Sequence, residues 1–254
     1  MQRNFLFALV VLLAFMAVGV QARNVTCLGR IEPFNGVYKP AGPSAVSVVS
    51  ELRVLEGSKV KIGDVLATLD GYALAKAELD RAKADLDYAQ LVMGRENKLL
   101  SATSQSRRDE ANYNVNVSRA GLAAARARLE LTLVRAPVGG EVLLIHTREG
   151  ERITEMGLLE LGQTEKMYVV AEVYETDVGM IAVGQNVTIT SPALSKVMSG
   201  KVERIGKTIG KIDSLALDPV TRTDSRVVEV FVLLDDSQAV ANLTNLQVQV
   251  EIGG

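Results

Sequence analysis

Two runs of heptad-spaced apolar residues inside a proline-free stretch constrain this chain most. All six prolines, Pro33, Pro40, Pro43, Pro137, Pro192 and Pro219, fall outside residues 72–134. A proline there would remove a helical donor and clash with the preceding turn. Within the stretch, Tyr72, Ala75, Leu79, Ala82, Leu86, Ala89 and Met93 are spaced 3, 4, 3, 4, 3, 4. That is the seam of a helix packed lengthwise on another. After an interruption at 100–106, Tyr113, Val117, Ala120, Ala124, Ala127 and Leu131 repeat the spacing. The pattern predicts two helices of ~27 residues, each ~40 Å long at ~1.5 Å per residue. They fold back as an antiparallel coiled-coil hairpin whose seam includes Leu79, Leu86, Met93, Val117, Ala124 and Leu131. A bundle would need further amphipathic helices, and the sequence offers none.

The segments on either side of this hairpin resemble each other. Residues 51–70 and 141–162 each read as strand, Glu-Gly turn, short strand, glycine-containing turn and strand, with Glu56-Gly57 and Glu149-Gly150 at the turns. Their apolar residues alternate as in half-buried strands. Neither half buries its apolar face alone. The economical solution pairs them into one small flattened barrel, with the hairpin projecting from the point between them. Beyond it, residues 163–254 alternate Val, Ile and Leu with polar residues between Gly, Asn and Asp turns, a mostly β pattern. The fold class is therefore mainly β with an inserted α-helical hairpin.

Composition removes several functions. A formal net charge of -2 over 254 residues supplies no basic face for nucleic acid. Trp is absent, and His146 and Cys27 are the only residues of their types. His-rich metal sites and intrachain disulfides are excluded. His146 follows an apolar strand with no catalytic constellation near it in sequence and reads as a strand or turn residue. The acidic pairs Asp85 with Asp87 and Asp235 with Asp236 read as solvated helix and turn positions. The expectation is a protein that is not an enzyme, with no cofactor and no metal.

The N-terminus points to export. Arg3 precedes an apolar run over 5–20, which ends near Val20-Gln21-Ala22, the layout of a signal peptide. The run is slightly short for a bilayer span of ~20 residues. Residues 1–22 are thus a cleaved signal or a retained membrane anchor, and either places the rest outside the cytoplasmic membrane.

At this point the residues carry a family resemblance. The Glu-Gly-x-x-Val-x-x-Gly-x-x-Leu-x-x-Leu-Asp pattern of 56–70 is split by a coiled coil from Ala136-Pro137-Val138-Gly139-Gly140-Glu141-Val142. This resembles the split lipoyl-type domain of HlyD-type periplasmic adaptors, or membrane fusion proteins. The stretches 28–33, 167–178 and 218–230 further resemble the DevB-like subfamily that serves ABC exporters. The resemblance implies an elongated adaptor of coiled-coil hairpin, split lipoyl-type domain, β-barrel and membrane-proximal β domain. The implied boundaries are membrane-proximal strands at 23–40, lipoyl halves at 41–71 and 134–163, hairpin at 72–133, barrel at 164–199 with part of 200–212, and the remainder to 254.

The resemblance also implies partners: an inner-membrane ABC permease and ATPase, a TolC-like outer-membrane channel, and further copies of the chain in a ring of six, in the periplasm at the inner membrane. The alternatives are an adaptor for a proton-driven RND-type pump and a lipoyl or biotinyl carrier. The carrier fits poorly, because the coiled coil replaces the tight turn that bears the modified lysine, and the nearest lysines, Lys76 and Lys83, lie on helix faces. Family tips that dock on the channel carry Arg, Leu four on and Ser eleven on, which Arg95, Leu99 and Ser106 match. An alternative alignment selects Ser104. Leu100, Arg107 and Arg108 complete the candidate tip. Ser106-Arg107-Arg108-Asp109 also reads as a capping box. Arg107 and Arg108 in a first helical turn oppose the helix dipole by ~0.3–1 kcal/mol each, which favours a partner-facing role. Gly94 costs ~1 kcal/mol relative to Ala in a helix interior.

Overall fold

The computed structural model describes residues 24–43, 47–99, 104–211 and 226–253. The N-terminal apolar run, Leu100 of the tip and residues 218–225 of one family-like stretch lie outside them. The chain divides into two compact units, Pro33–Lys166 and Met1–Glu32 with Met167–Gly254.

In Pro33–Lys166, the strands β2 (Val49–Leu52), β4 (Val65–Leu69) and β5 (Leu133–Arg135) form a three-stranded antiparallel sheet. Strand β3 (Lys59–Val60) pairs with β6 (Gly140–Ile145), which pairs with the first part of β7 (Leu159–Tyr174). The segments before and after the helices are therefore interleaved, as β4 lies beside β5 and β3 beside β6. Backbone bonds outside the strands join them again: Gly63 N–H donates to the Ala136 carbonyl, and Val142 N–H to that of Ser58. Val49, Leu66, Leu69, Val134, Val142, Leu158 and Leu161 fill the shared core, each stabilising by ~1.5–3 kcal/mol relative to exposure. Two glycines meet back to back at the crossing of β6 and β7. A Cβ on Gly140 would collide with the Gly162 carbonyl, and one on Gly162 would lie 2.7 Å from Pro33 Cγ.

Two helices separate β4 from β5. Helix α1 (Tyr72–Lys98) starts at Gly71, whose φ of 85° only glycine adopts without strain, and α2 (Gln105–Glu130) returns to the sheet. At its foot Arg135 grips the Glu130 carboxylate with two donors, at 2.9 and 3.0 Å, and donates a third bond to the Gly63 carbonyl. On α1 Ala75, Leu79 and Ala89 are buried and Tyr72, Ala82, Leu86 and Met93 half-buried along one seam, with Glu78, Val92, Gly94 and Glu96 half-buried beside it. On α2 the buried and half-buried positions are Arg108, Ala111, Val115, Ser118, Leu122, Ala125 and Leu129.

The second seam is a correction. Val117, Ala124 and Leu131 are exposed, at 50% for Val117 and 60% for Leu131, and the residues two positions earlier turn inward. Both stripes have the same heptad spacing, so spacing alone does not choose between them. Side-chain volume does. The inward stripe carries Leu122 and Leu129, which cluster with Leu79, Ala82, Leu86 and Ala125. The expected stripe offers mainly alanine at those levels.

In the other unit, the first part of β1 (Val25–Tyr38), β11 (Gln247–Ile252), β8 (Asn186–Thr190), β9 (Met198–Lys211), β10 (Arg226–Leu234) and the second part of β7 follow one another by hydrogen bonding, and β1 pairs again with β7. Among the described residues the sheet is closed, so it offers no free edge for aggregation. Ile31, Met167, Val169, Ile189, Val230, Val250 and Ile252 line one core. Gly29, on β1, is close-packed: a Cβ there would sit 2.9 Å from both a Val169 methyl and the Val170 carbonyl.

Candidate functional site

The candidate tip is built from the end of α1 and the start of α2. Leu99 is the C-cap of α1, half exposed, with its N–H shared between the Arg95 and Glu96 carbonyls. Arg95 and Lys98 sit in the last turn of α1, where cations complement the negative end of the helix. Arg107 and Arg108 sit in the first turn of α2, which contains no acidic residue. Both helix ends thus carry positive charge. Leu100, the remaining candidate, lies outside the described residues.

The cap of α2 differs from the expected capping box. Ser104, in extended conformation, is the N-cap, and its Oγ accepts the Arg107 N–H at 3.3 Å. Ser106 lies inside the first turn, exposed. The helix begins two residues earlier because Gln105 supports its first turns. The Gln105 Nε2 donates to Asp109 at 2.8 Å, and its Oε1 accepts from Arg108 at 3.0 Å. Arg108 is half-buried at the head of the α2 seam.

Three constellations escaped sequence reasoning because the fold brings together residues distant in the chain. Arg30 bonds Glu32, Glu172 at 3.1 Å and Glu229 at 3.1 Å. One cation thereby serves three carboxylates, and the Glu172 side chain is 4% exposed. Alternation on β1 and β7 marked these as strand positions, but nothing local told which would face one another. Close by, burial pushes the Cys27 thiol up to about 12, with a further rise from the Glu172 charge. A thiol held neutral is a poor nucleophile. The third constellation centres on Glu160, whose Oε1 lies 3.1 Å from His146 Nε2 and 3.2 Å from Lys39 Nζ. It links the end of β6 and the segment before β2 to β7 by electrostatics.

Among the described residues no group of three or more His, Cys, Asp or Glu side chains is placed to hold a metal. Lys76 and Lys83 lie exposed on α1, with Lys83 Nζ 3.4 Å from Asp80. Asp236 pairs with Lys196 at 2.9 Å, and Asp235 accepts the Ser199 hydroxyl at 2.6 Å, so this acidic pair serves a turn. Among the described residues no helix is long and apolar enough to cross a membrane.

No protein-family model matches the chain. Among solved structures it is similar to a MacA–MexA chimeric protein containing the Pseudomonas aeruginosa MexA α-hairpin domain, at 24% identity and a TM-score of 0.71, covering 91% of this chain and 82% of that one. It is similar also to the membrane fusion protein Spr0693 of Streptococcus pneumoniae R6, at 20% identity and a TM-score of 0.64, over 90% and 98% of the two chains. MacA of Actinobacillus actinomycetemcomitans aligns at 20% identity and 0.55, over 91% and 78%. At these identities the likeness is one of fold: the chain has the fold of a membrane fusion protein.

Proposed function

We propose that the chain is the periplasmic adaptor of a tripartite ABC-type export system, linking an inner-membrane permease and ATPase to a TolC-like outer-membrane channel. The observation that carries this reading is the insertion of a long two-helix hairpin between two neighbouring strands, β4 and β5, in a chain that also holds a separate closed barrel. Such a chain offers reach and stacking surfaces, which is what a conduit subunit needs. In this reading β2 to β6 with the start of β7 form the split lipoyl-type domain, and the chain is an adaptor of the DevB-like kind. The barrel and membrane-proximal strands sit on the transporter, six copies form a ring, and the tip docks on the channel through Arg95, Leu99, Leu100, Ser104 or Ser106, Arg107 and Arg108. The chain itself hydrolyses nothing and carries no cofactor.

The experiment replaces Leu99→Asp or Arg95→Ala and measures export, folding by circular dichroism, and co-purification with the transporter. The reading expects export to be lost while the folded chain still binds the transporter. Full export by both variants sinks the tip assignment. Mass spectrometry of the transporter that co-purifies distinguishes an ATPase-coupled permease from a proton-driven pump. A lipoyl or biotinyl adduct on a lysine of the intact chain would favour a carrier instead.

A further inference from the structure

Of the ten asparagines in the chain, only Asn35 precedes a glycine; the other nine precede Phe, Val, Lys, Tyr or Leu. Asn-Gly is the pair best suited to a two-residue hairpin turn, because both residues accept positive φ. Here it turns no hairpin. Asn35 and Gly36 have φ of 61° and 76°, yet the strand β1 runs through them from Val25 to Tyr38. The pair interrupts the extended backbone at an open stretch: Phe34 and Asn35 are exposed, whereas Pro33 and Pro40 on either side are buried. Among the described residues no hydrogen bond or ion pair engages the Asn35 carboxamide.

These features meet the needs of one reaction. The side-chain amide carbon of an asparagine is a five-membered ring away from the nitrogen of the next residue. A side chain on that next residue crowds the nitrogen, and glycine, which has no Cβ, leaves it bare. We infer that Asn35 is a self-modification site, at which the chain deamidates without an enzyme. The Gly36 nitrogen gives its proton to solvent base and bonds to Cγ of Asn35. The bond from Cγ to Nδ2 breaks, and Nδ2 takes up a proton and leaves as ammonia. Water then opens the resulting succinimide. Addition at Cγ leaves an aspartate on the original backbone, whereas addition at the main-chain carbonyl carbon leaves an isoaspartate, whose backbone runs through Cγ and is one carbon longer. One water is consumed, one ammonia is released, and nothing is oxidised or reduced.

Two other places in the chain lack one requirement each. Asn245 is exposed and has a φ of 66°, but it precedes Leu246. Asp70 precedes Gly71, but its carboxylate accepts the Val48 N–H at 3.1 Å, and an ionised carboxylate is a poor acceptor for a nitrogen nucleophile.

The position of Asn35 gives the modification a consequence. On one side Pro33 packs on β7, where a Cβ added to Gly162 would lie 2.7 Å from Pro33 Cγ. On the other, the Pro40 carbonyl accepts the Leu158 N–H at 2.8 Å, and Lys39 pairs with Glu160 at 3.2 Å. An extra backbone carbon between these two pins lengthens the segment without moving either, so the isoaspartate form holds Lys39 and Pro40 less firmly. Both products also place a carboxylate beside Phe34, whose ring centre lies 5.9 Å from Lys166 Nζ. Fresh and aged copies thus differ in how tightly the end of β1 is fastened, whether or not the adaptor reading holds.

The test incubates the folded full-length chain at 37 °C and at pH 6, 7.4 and 9, and follows its peptides by mass spectrometry. The peptide containing Asn35 should become about 1 Da heavier over days, in two chromatographic forms, one of which is methylated by protein isoaspartyl methyltransferase. Its rate should rise severalfold with each pH unit, because the attacking nitrogen is the deprotonated one. Peptides holding Asn245 and the Asp70–Gly71 pair should stay unchanged, and Asn35→Gln, whose ring closure would be six-membered, should show no mass change. Conversion in the urea-unfolded chain but not in the folded one overturns the site, and so does conversion of Asn245 at the same rate. The loosening is read separately, from amide exchange of Leu158. Aged chain separated by ion exchange should exchange there about tenfold faster than fresh chain, whereas unaged Asn35→Asp, which adds the charge without the carbon, should not. Equal exchange in aged and fresh chain overturns the loosening.

Discussion

Arg128, near the end of α2, donates to the Glu78 carboxylate on α1 at 3.2 Å, tying together residues fifty apart in sequence at one level of the hairpin. Both side chains are largely solvated, so the bond adds only ~0.2–1 kcal/mol. Its importance is geometric, since it marks the level at which the two seams face each other.

The corrected seam makes a sharp contrast. Leu122→Ala removes a side chain that packs on Leu79 and should cost about 2–3 kcal/mol of hairpin stability. Val117→Ala, five residues earlier on the exposed stripe, should cost under about 0.5 kcal/mol in the monomeric chain. Denaturant unfolding at low protein concentration checks both, and equal costs would overturn the assignment of the seam to Leu122 and Leu129.

At the tip, Ser104→Ala removes an N-cap and should lower stability by about 1 kcal/mol, with faster amide exchange confined to the first turn of α2. Ser106→Ala, inside that turn, should leave exchange there unchanged within about twofold, since its hydroxyl is not the cap. Exchange rates read by mass spectrometry decide between them.

Cys27 should resist alkylation by iodoacetamide at pH 8 in the folded chain and react on unfolding. Its thiol titrates higher in the folded state than in the unfolded chain, where the ordinary value is about 8.5. The unfolded state therefore releases its proton first. The stability contributed by the neutral buried thiol is fully present below about pH 8.5 and declines as pH rises toward about 12. The stability difference between wild type and Cys27→Ala should shrink over that range, and a difference that grows would reverse the assignment.

Replacing Arg30→Ala takes from the buried Glu172 the cation that Glu32 and Glu229 also share. We expect a loss of about 2–4 kcal/mol, seen as a lower urea midpoint. The double substitution Arg30→Ala with Glu172→Gln should recover at least half of it, because loss of the cation facing a buried carboxylate, not lost packing, carries the cost.

What the sequence made legible were features whose period is short. Helix positions came from proline spacing and heptads, because both act within a few turns. The Glu56-Gly57 and Glu149-Gly150 turns were readable from glycine, and Gly57 and Gly150 both adopt positive φ. The choice between two stripes on α2 was not readable, because it depends on which leucines lie opposite on α1. The start of α2 was misplaced by two residues, since Ser104 and Ser106 are equally good caps and only the Gln105 side chain's bonds separate them. Arg30, Glu172 and Glu229 meet from three strands of a closed sheet, and no local pattern encodes such a meeting. Glu160 with His146 was missed for the same reason.

The pairing of β1 with β11 sets Val25 opposite Ile252 and Arg30 opposite Gln247. A mechanical load applied between Val25 and Ile252 would meet these rungs one after another and peel the strands apart at low force. A load entering at Val25 on β1 and leaving through Gln247 on β11, at the other end of the pairing, would strain all the rungs at once. The barrel's resistance to pulling thus depends on direction, and a tether that draws β1 along its own axis meets the stiffest path through it.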